Sequence, residues 1–163
     1  MMKPDLLDKF TYKEVPIEVE WFDVASKEEL PDLPWKQVYA VCNLDGKVPV
    51  VCYKDDNDNL PGGTTEPGEN INETLEREIL EELNCKVTSW EPLGIQKNIR
   101  GGVLENYSLR VYANVAKIGE FESDPAGTVV GYRLIDIQDL NKTIQWGKTG
   151  NHIQQLAEKF FSK

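Results

Sequence analysis

Three glutamates, Glu78, Glu81 and Glu82, crowd a stretch from Asn70 to Asn84 whose sole cation is Arg77. On a helix at about 100° per residue they fall at roughly 0°, 300° and 40°, which is one face. Packing like charges in this way costs about 0.2–0.5 kcal/mol per pair. Glutamates on a helix are ordinarily a solvated face, but a helix needing only solubility would intersperse lysines. A hard divalent ion accounts for the cluster better, since Mg²⁺ takes oxygen ligands, uses few carboxylates and leaves positions for waters and phosphates. Gly62 and Gly63 stand just upstream. Without a Cβ they let backbone approach a ligand closely, so a carbonyl there is a further oxygen donor. Glu69 lies at the start of the same helix, where negative charge is favoured. From there it can accept a bidentate bond from Arg77 and pin the loop to the helix, a structural role.

The surrounding elements follow from pattern. Asn70 with Glu73 three residues on forms a capping box, and Leu75, Ile79 and Leu83 repeat at i, i+4, i+8, so a helix runs from Asn70 to Leu83. Before it, Asp55 to Gly68 is rich in Asp, Asn, Gly and Pro and reads as loop. Ile17 to Val24 is a first strand, and Lys27 to Trp35 a loop. Gln37 to Cys42 and Val48 to Tyr53 read as a hairpin turning at Asn43-Leu44-Asp45-Gly46. After the helix, Cys85 to Gln96 and Asn106 to Ile118 are strands around a turn at Arg100-Gly101-Gly102. Gly119 to Gly127 is a polar loop, Thr128 to Ile137 a strand, and Asn151 to Phe161 a terminal helix. The sum is one α/β domain over residues 1–163 with a mixed sheet, its polar residues 1–13 loosely held.

Charge and composition remove whole classes of function. The chain carries 18 Lys and Arg against 28 Asp and Glu, a net of −10. Between Asp55 and Glu91 eleven acids face two bases, so that window alone holds −9. A chain this acidic is a poor binder of nucleic-acid backbone. No run reaches the roughly 18 apolar residues of a membrane span, and no signal peptide opens the chain, which suggests a cytoplasmic protein. Cys42, Cys52 and Cys85 have neither disulfide-framework nor zinc spacing and sit in apolar runs as small hydrophobes. His152 is the one histidine and lies in the terminal helix, so the general base is a carboxylate. Gly147-Lys148-Thr149 lacks the first glycine of a phosphate loop, with Lys142 in its place. Asp55-x-Asn57-x-Asn59 lacks the glycine of a calcium loop, with Leu60 in its place.

The segment from Gly63 to Cys85 resembles the Nudix box, G-x5-E-x7-R-E-U-x-E-E-x-G-U with U aliphatic. Gly63, Glu69, Arg77, Glu78, Ile79, Glu81 and Glu82 fall on the pattern without a gap. Asn84 replaces the last Gly and Cys85 the final aliphatic. Asn is the next-best residue for a left-handed helix end. The resemblance implies a Nudix-like α/β/α sandwich around a mixed β-sheet. It further implies a Mg²⁺- or Mn²⁺-dependent pyrophosphatase, a hydrolase cleaving a phosphoanhydride in a nucleoside diphosphate linked to another moiety. Glu78, Glu81 and Glu82 with the Gly62 carbonyl would hold the metal, supported by Gly63, Glu69 and Arg77.

By the same resemblance the catalytic base is Glu81 or Glu78 within the box, or Glu120 or Glu122 in the later loop. Arg100 is a candidate for a substrate phosphate, and Trp35, Tyr39 and Tyr107 for a base. The alternatives are a nucleotide-sensing domain that does not hydrolyse, and an acidic helix docking on a basic partner. The isoprenoid diphosphate isomerase branch needs catalytic cysteines in a motif that Cys42, Cys52 and Cys85 lack. The partner implied is a small nucleoside diphosphate derivative, with a capped RNA end the one nucleic acid that fits. Which derivative, and whether the chain forms a homodimer, stay open at this level.

Overall fold

Strand alternation divides the apolar residues between two cores on opposite faces of one sheet. The computed structural model describes residues 3–123, 125 and 127–162. Its elements are β1 (Leu6–Tyr12), β2 (Val15–Asp23), β3 (Trp35–Asn43), β4 (Val48–Tyr53), β5 (Asp58–Asn59), β6 (Gly62–Thr64), α1 (Ile71–Leu83), β7 (Cys85–Arg100), β8 (Val103–Lys117), β9 (Val129–Ile135), α2 (Leu140–Ile144) and α3 (Gly147–Phe161). A six-stranded sheet runs in the order β1-β2-β7-β8-β3-β6, and a three-stranded sheet in the order β5-β4-β9. The pair β3–β8 is parallel and the other pairs are antiparallel, so the large sheet is mixed. Val38, Ala40 and Cys42 of β3 pack with Leu109 and Val111 of β8 against Leu75, Ile79 and Leu83 of α1. The intervening Tyr39 and Val41 face the other way, with Tyr112, onto α2 and α3. This is the α/β/α arrangement. Each large side chain so buried contributes about 1.5–3 kcal/mol of transfer free energy.

The box helix is fixed at both ends. Asn70 accepts from the Glu73 N–H at 2.8 Å while Glu73 accepts from the Asn70 N–H at 3.1 Å, the reciprocal capping box. At the other end Asn84 takes the left-handed conformation with φ 51°. Its side-chain amide donates to the Glu120 carbonyl at 2.8 Å, so the substituted box position ties the helix end to the loop after β8.

Four departures from the sequence reading have physical reasons. Residues 1–13 are not loosely held throughout. Leu6–Tyr12 pairs along its whole length with β2, through a tight turn in which Lys13 and Glu14 have φ of 49° and 67°. That turn geometry ordinarily announces itself by Asn-Gly or Asp-Gly, which is absent here. The chain does turn at Asp45-Gly46, but β3 and β4 then part into different sheets, joined only by the bridge Leu44–Lys47. Within the expected loop, Gly62–Thr64 adds to the edge of β3, so the glycines are strand residues. Finally, the stretch before α3 folds into α2, whose Leu140 and Ile144 are buried.

Candidate active site

Edge strand β6 and helix α1 build the site between them. Arg77 is its hub. The Arg77 Nε–H donates to Glu69 Oε2 at 2.7 Å and its Nη2 to Glu69 Oε1 at 3.0 Å, the bidentate pair expected from the spacing. Nη2 also donates to the Thr64 carbonyl at 3.0 Å, and Nη1 to Glu78 Oε1 at 2.9 Å. Glu81 and Glu66 stand farther off, at 3.5 and 3.8 Å. One guanidinium thus locks the loop to the helix and neutralises part of the acidic face. The bond from Arg77, aided by the Glu66 N–H, lowers the Glu69 carboxyl from 4.5 to about 2, and the same pairing raises the Arg77 pKa.

The glycines work by what they lack. A Cβ on Gly63 would lie 2.4 Å from Glu78 Oε1, so the carboxylate occupies the place a side chain would take. A Cβ on Gly62, at φ 141°, would lie 2.2 Å from the Val38 carbonyl, so only glycine lets β6 approach β3 here. The Gly62 N–H donates to Glu82 Oε1 at 2.8 Å, which fixes the most buried of the three glutamates, 5% exposed. Glu81 is the most exposed of the three, with 30% of its side chain open against 13% for Glu78.

Gly62, Gly63, Glu78, Glu81 and Glu82 line one open cleft of about 560 Å³. Of the sequence candidates, Tyr39 and Arg77 join them there. Trp35 and Tyr107 instead pack against buried core residues. Arg100 lies at the tip of the β7–β8 hairpin, paired with Ile17 and Val103, and does not line the cleft. Glu120 is exposed and paired with Lys117 at 2.5 Å, and Glu122 is exposed. Their loop meets the cleft through Pro125, and Thr128 follows. Sequence reasoning missed Tyr53, Thr64, Glu66, Pro125 and Thr128. Tyr53 ends a strand just before the acidic stretch, a weak signal; nothing local marks Pro125 or Thr128.

Among the described residues no three of His, Cys, Asp or Glu converge as a ready-made metal cage. Glu78 and Glu81 turn toward Arg77, and Glu82 toward the Gly62 N–H. The donor set nonetheless suits a hard cation. It is all oxygen, it sits beside a glycine cradle that a Cβ would fill, and Mg²⁺ needs only one or two carboxylates because it keeps most of its waters.

A family model of the NUDIX domain matches residues 35–156. Among solved structures, a mutant form of the Bacillus subtilis pyrophosphohydrolase BsRppH is similar with a TM-score of 0.71 at 21% identity, covering 94% of this chain and 97% of that chain. A C. elegans Ap4A hydrolase gives 0.58 at 13% identity, covering 78% of this chain and 100% of its own. A NUDIX hydrolase from Nitrosomonas europaea gives 0.54 at 23%, covering 77% and 87%. At such identities the likeness is one of fold. A search of curated protein sequences found no match.

Proposed function

The chain belongs to the NUDIX family, and from that premise we propose that it is a divalent-metal-dependent hydrolase of a nucleoside diphosphate linked to another moiety. One observation carries the reading: Glu78, Glu81 and Glu82 reach a single glycine-lined cleft and are positioned there by Arg77 and the Gly62 N–H. Glu78, Glu82 and the Gly62 carbonyl are the proposed holders of Mg²⁺, or Mn²⁺, with Glu81 completing the set. A bound ion would supply neutralisation of phosphate charge and a lowered pKa for water.

The rest falls to the chain. Arg77 holds Glu78 and, through Glu69 and Thr64, the loop that carries Gly63, so the reacting groups are fixed before substrate arrives. Glu81, the least constrained and most exposed of the three, is the proposed proton acceptor for the attacking water, with Glu78 the second candidate. Glu120 and Glu122 could replace it only if their loop carried a carboxylate past Pro125 into the cleft. An acidic cleft repels a polyanion, so substrate binding depends on the cation. The extended backbone of a nucleic acid is disfavoured for the same reason, whereas a capped RNA end presents only its terminal phosphates. A cytoplasmic setting suits free thiols such as Cys42 and Cys85.

The test is hydrolysis of a panel of nucleoside diphosphate derivatives with and without Mg²⁺. Turnover that appears only with the ion supports the reading. An inert protein whose melting temperature a nucleotide nonetheless raises would replace it with a sensing domain.

A further inference from the structure

On the α3 face of the six-stranded sheet lies a second cavity, of about 580 Å³, walled by Phe10 and Tyr12 of β1 and by Trp146. Among the described residues three buried side-chain atoms have no hydrogen-bond partner: Gln96 Oε1, Arg110 Nε and Thr149 Oγ1. All three belong to residues lining this one cavity. A buried donor or acceptor left without a partner is unfavourable, so a place that gathers three of them is set up for a molecule that meets them.

The chemistry of that molecule can be read from the groups. Arg110 is 5% exposed, its guanidinium lies over the Tyr39 and Trp146 rings at 4.8 and 5.0 Å, and its Nη1 donates to Ser108 Oγ. Burial pulls its pKa down to about 10, and Tyr39 is the group that opposes this, rather than a carboxylate. With Nη1 given to Ser108 and Nε without a partner, the guanidinium offers a ligand its remaining N–H groups, donors with no acceptor capacity. Gln96 is oriented by a relay: its Nε2 donates to Asn98 Oδ1 at 2.9 Å, and Asn98 Nδ2 donates to Asn106 Oδ1 at 2.7 Å. The relay leaves the Gln96 oxygen as an acceptor. A charged donor and a fixed acceptor, between aromatic rings, complement a flat ring with a carbonyl beside a ring N–H. Guanine, hypoxanthine and uracil carry that lactam edge, and the guanine carbonyl is a preferred acceptor for arginine. Adenine and cytosine offer an amino group beside a ring nitrogen instead.

The sheet connects this cavity to the carboxylates. Gly94, Arg110, Tyr39 and Gly62 are successive neighbours across β7, β8, β3 and β6, and Gly62 holds Glu82. Arg110 and Gly62 are therefore two strand spacings apart, about 10 Å, a span that a ribosyl diphosphate covers. Tyr39 feels both ends: burial raises its pKa, Arg110 opposes, and Glu82 and Glu78 add to the rise.

We propose that this cavity takes the nucleobase of the substrate and selects a lactam-edged base, Arg110 reading its carbonyl and Gln96 its ring N–H. The inference rests on reading the cleft as a nucleotide hydrolase site, so its test uses ligands that need neither phosphate nor metal. Guanosine, inosine, uridine, adenosine and cytidine are titrated into the full chain by calorimetry without divalent ions. The lactam nucleosides bind at least tenfold tighter than adenosine and cytidine, and both Arg110→Met and Gln96→Leu abolish the preference. Arg110→Met replaces a buried unpaired charge with an apolar chain of similar length, a change that folded proteins tolerate, and Gln96→Leu leaves the charge in place. The proposal is overturned if no nucleoside binds, if all five bind alike, or if the preference survives both substitutions. Base-selective binding with no turnover of any diphosphate upholds the cavity and removes the hydrolase. Turnover without base selection does the reverse.

Discussion

Arg77 has six oxygens of the loop and helix within reach of its guanidinium, and its pairing with Glu69 makes a pH-dependent lock. Glu69 has its pKa depressed in the folded state, so it adds stability above its unfolded value near 4.5 and loses it as pH falls toward about 2. The melting temperature of the wild type should therefore exceed that of Glu69→Gln at neutral pH, the gap closing as pH drops through that window. A gap that stays constant would show that the pair adds nothing beyond packing. Gly63→Ala is a second test at this scale. Its new Cβ would meet the end of a side chain, Glu78 Oε1, rather than backbone. The variant should keep a melting temperature near that of the wild type while losing at least tenfold in Mg²⁺-dependent turnover; unaltered turnover would show that the Glu78 position is not critical. These residues were legible because their spacing is local to one loop and one helix. Arg110 was not legible, because a single arginine in an apolar strand says nothing of the rings that stack on it.

The elements were legible where period and capping agree. The helix from Asn70 to Leu83 was readable to within a residue, since capping box, apolar repeat and left-handed Asn84 all point to the same ends. Two readings that failed depended on partners far away in sequence. The turn at Asp45-Gly46 reads as a hairpin, but the apolar faces of β3 and β4 are satisfied in separate sheets. Leu6–Tyr12 has little to mark it as a strand until β2 offers an open edge. The prediction at this scale concerns the helix end. Asn84→Ala places an ordinary side chain at φ 51° and removes the bond to the Glu120 carbonyl. It should cost about 1–2 kcal/mol in chemical denaturation, whereas Asn84→Gly, which restores the last Gly of the family's box, should cost less. Equal losses would mean that the side-chain bond, not the backbone conformation, matters there.

For the molecule as a whole, the charge distribution and the fold make one statement. A net −9 between Asp55 and Glu91 is unfavourable without a bound metal ion, and the sandwich brings four of its eleven acids, Glu66, Glu78, Glu81 and Glu82, to one cleft. The aromatic-walled cavity lies two strands away along the same sheet, and Tyr39, which lines the carboxylate cleft and carries the Arg110 guanidinium over its ring, stands between the two, so one substrate can engage both. The central claim is that Glu81 and its neighbours carry a metal-dependent phosphoanhydride hydrolysis. The most direct measurement is turnover of a nucleoside diphosphate derivative by wild type and Glu81→Gln side by side, across a Mg²⁺ titration, with both proteins verified as folded. The account predicts turnover that requires the ion and falls by about 10²–10⁴-fold in the variant. Equal turnover in the two proteins, or turnover indifferent to the ion, would contradict it.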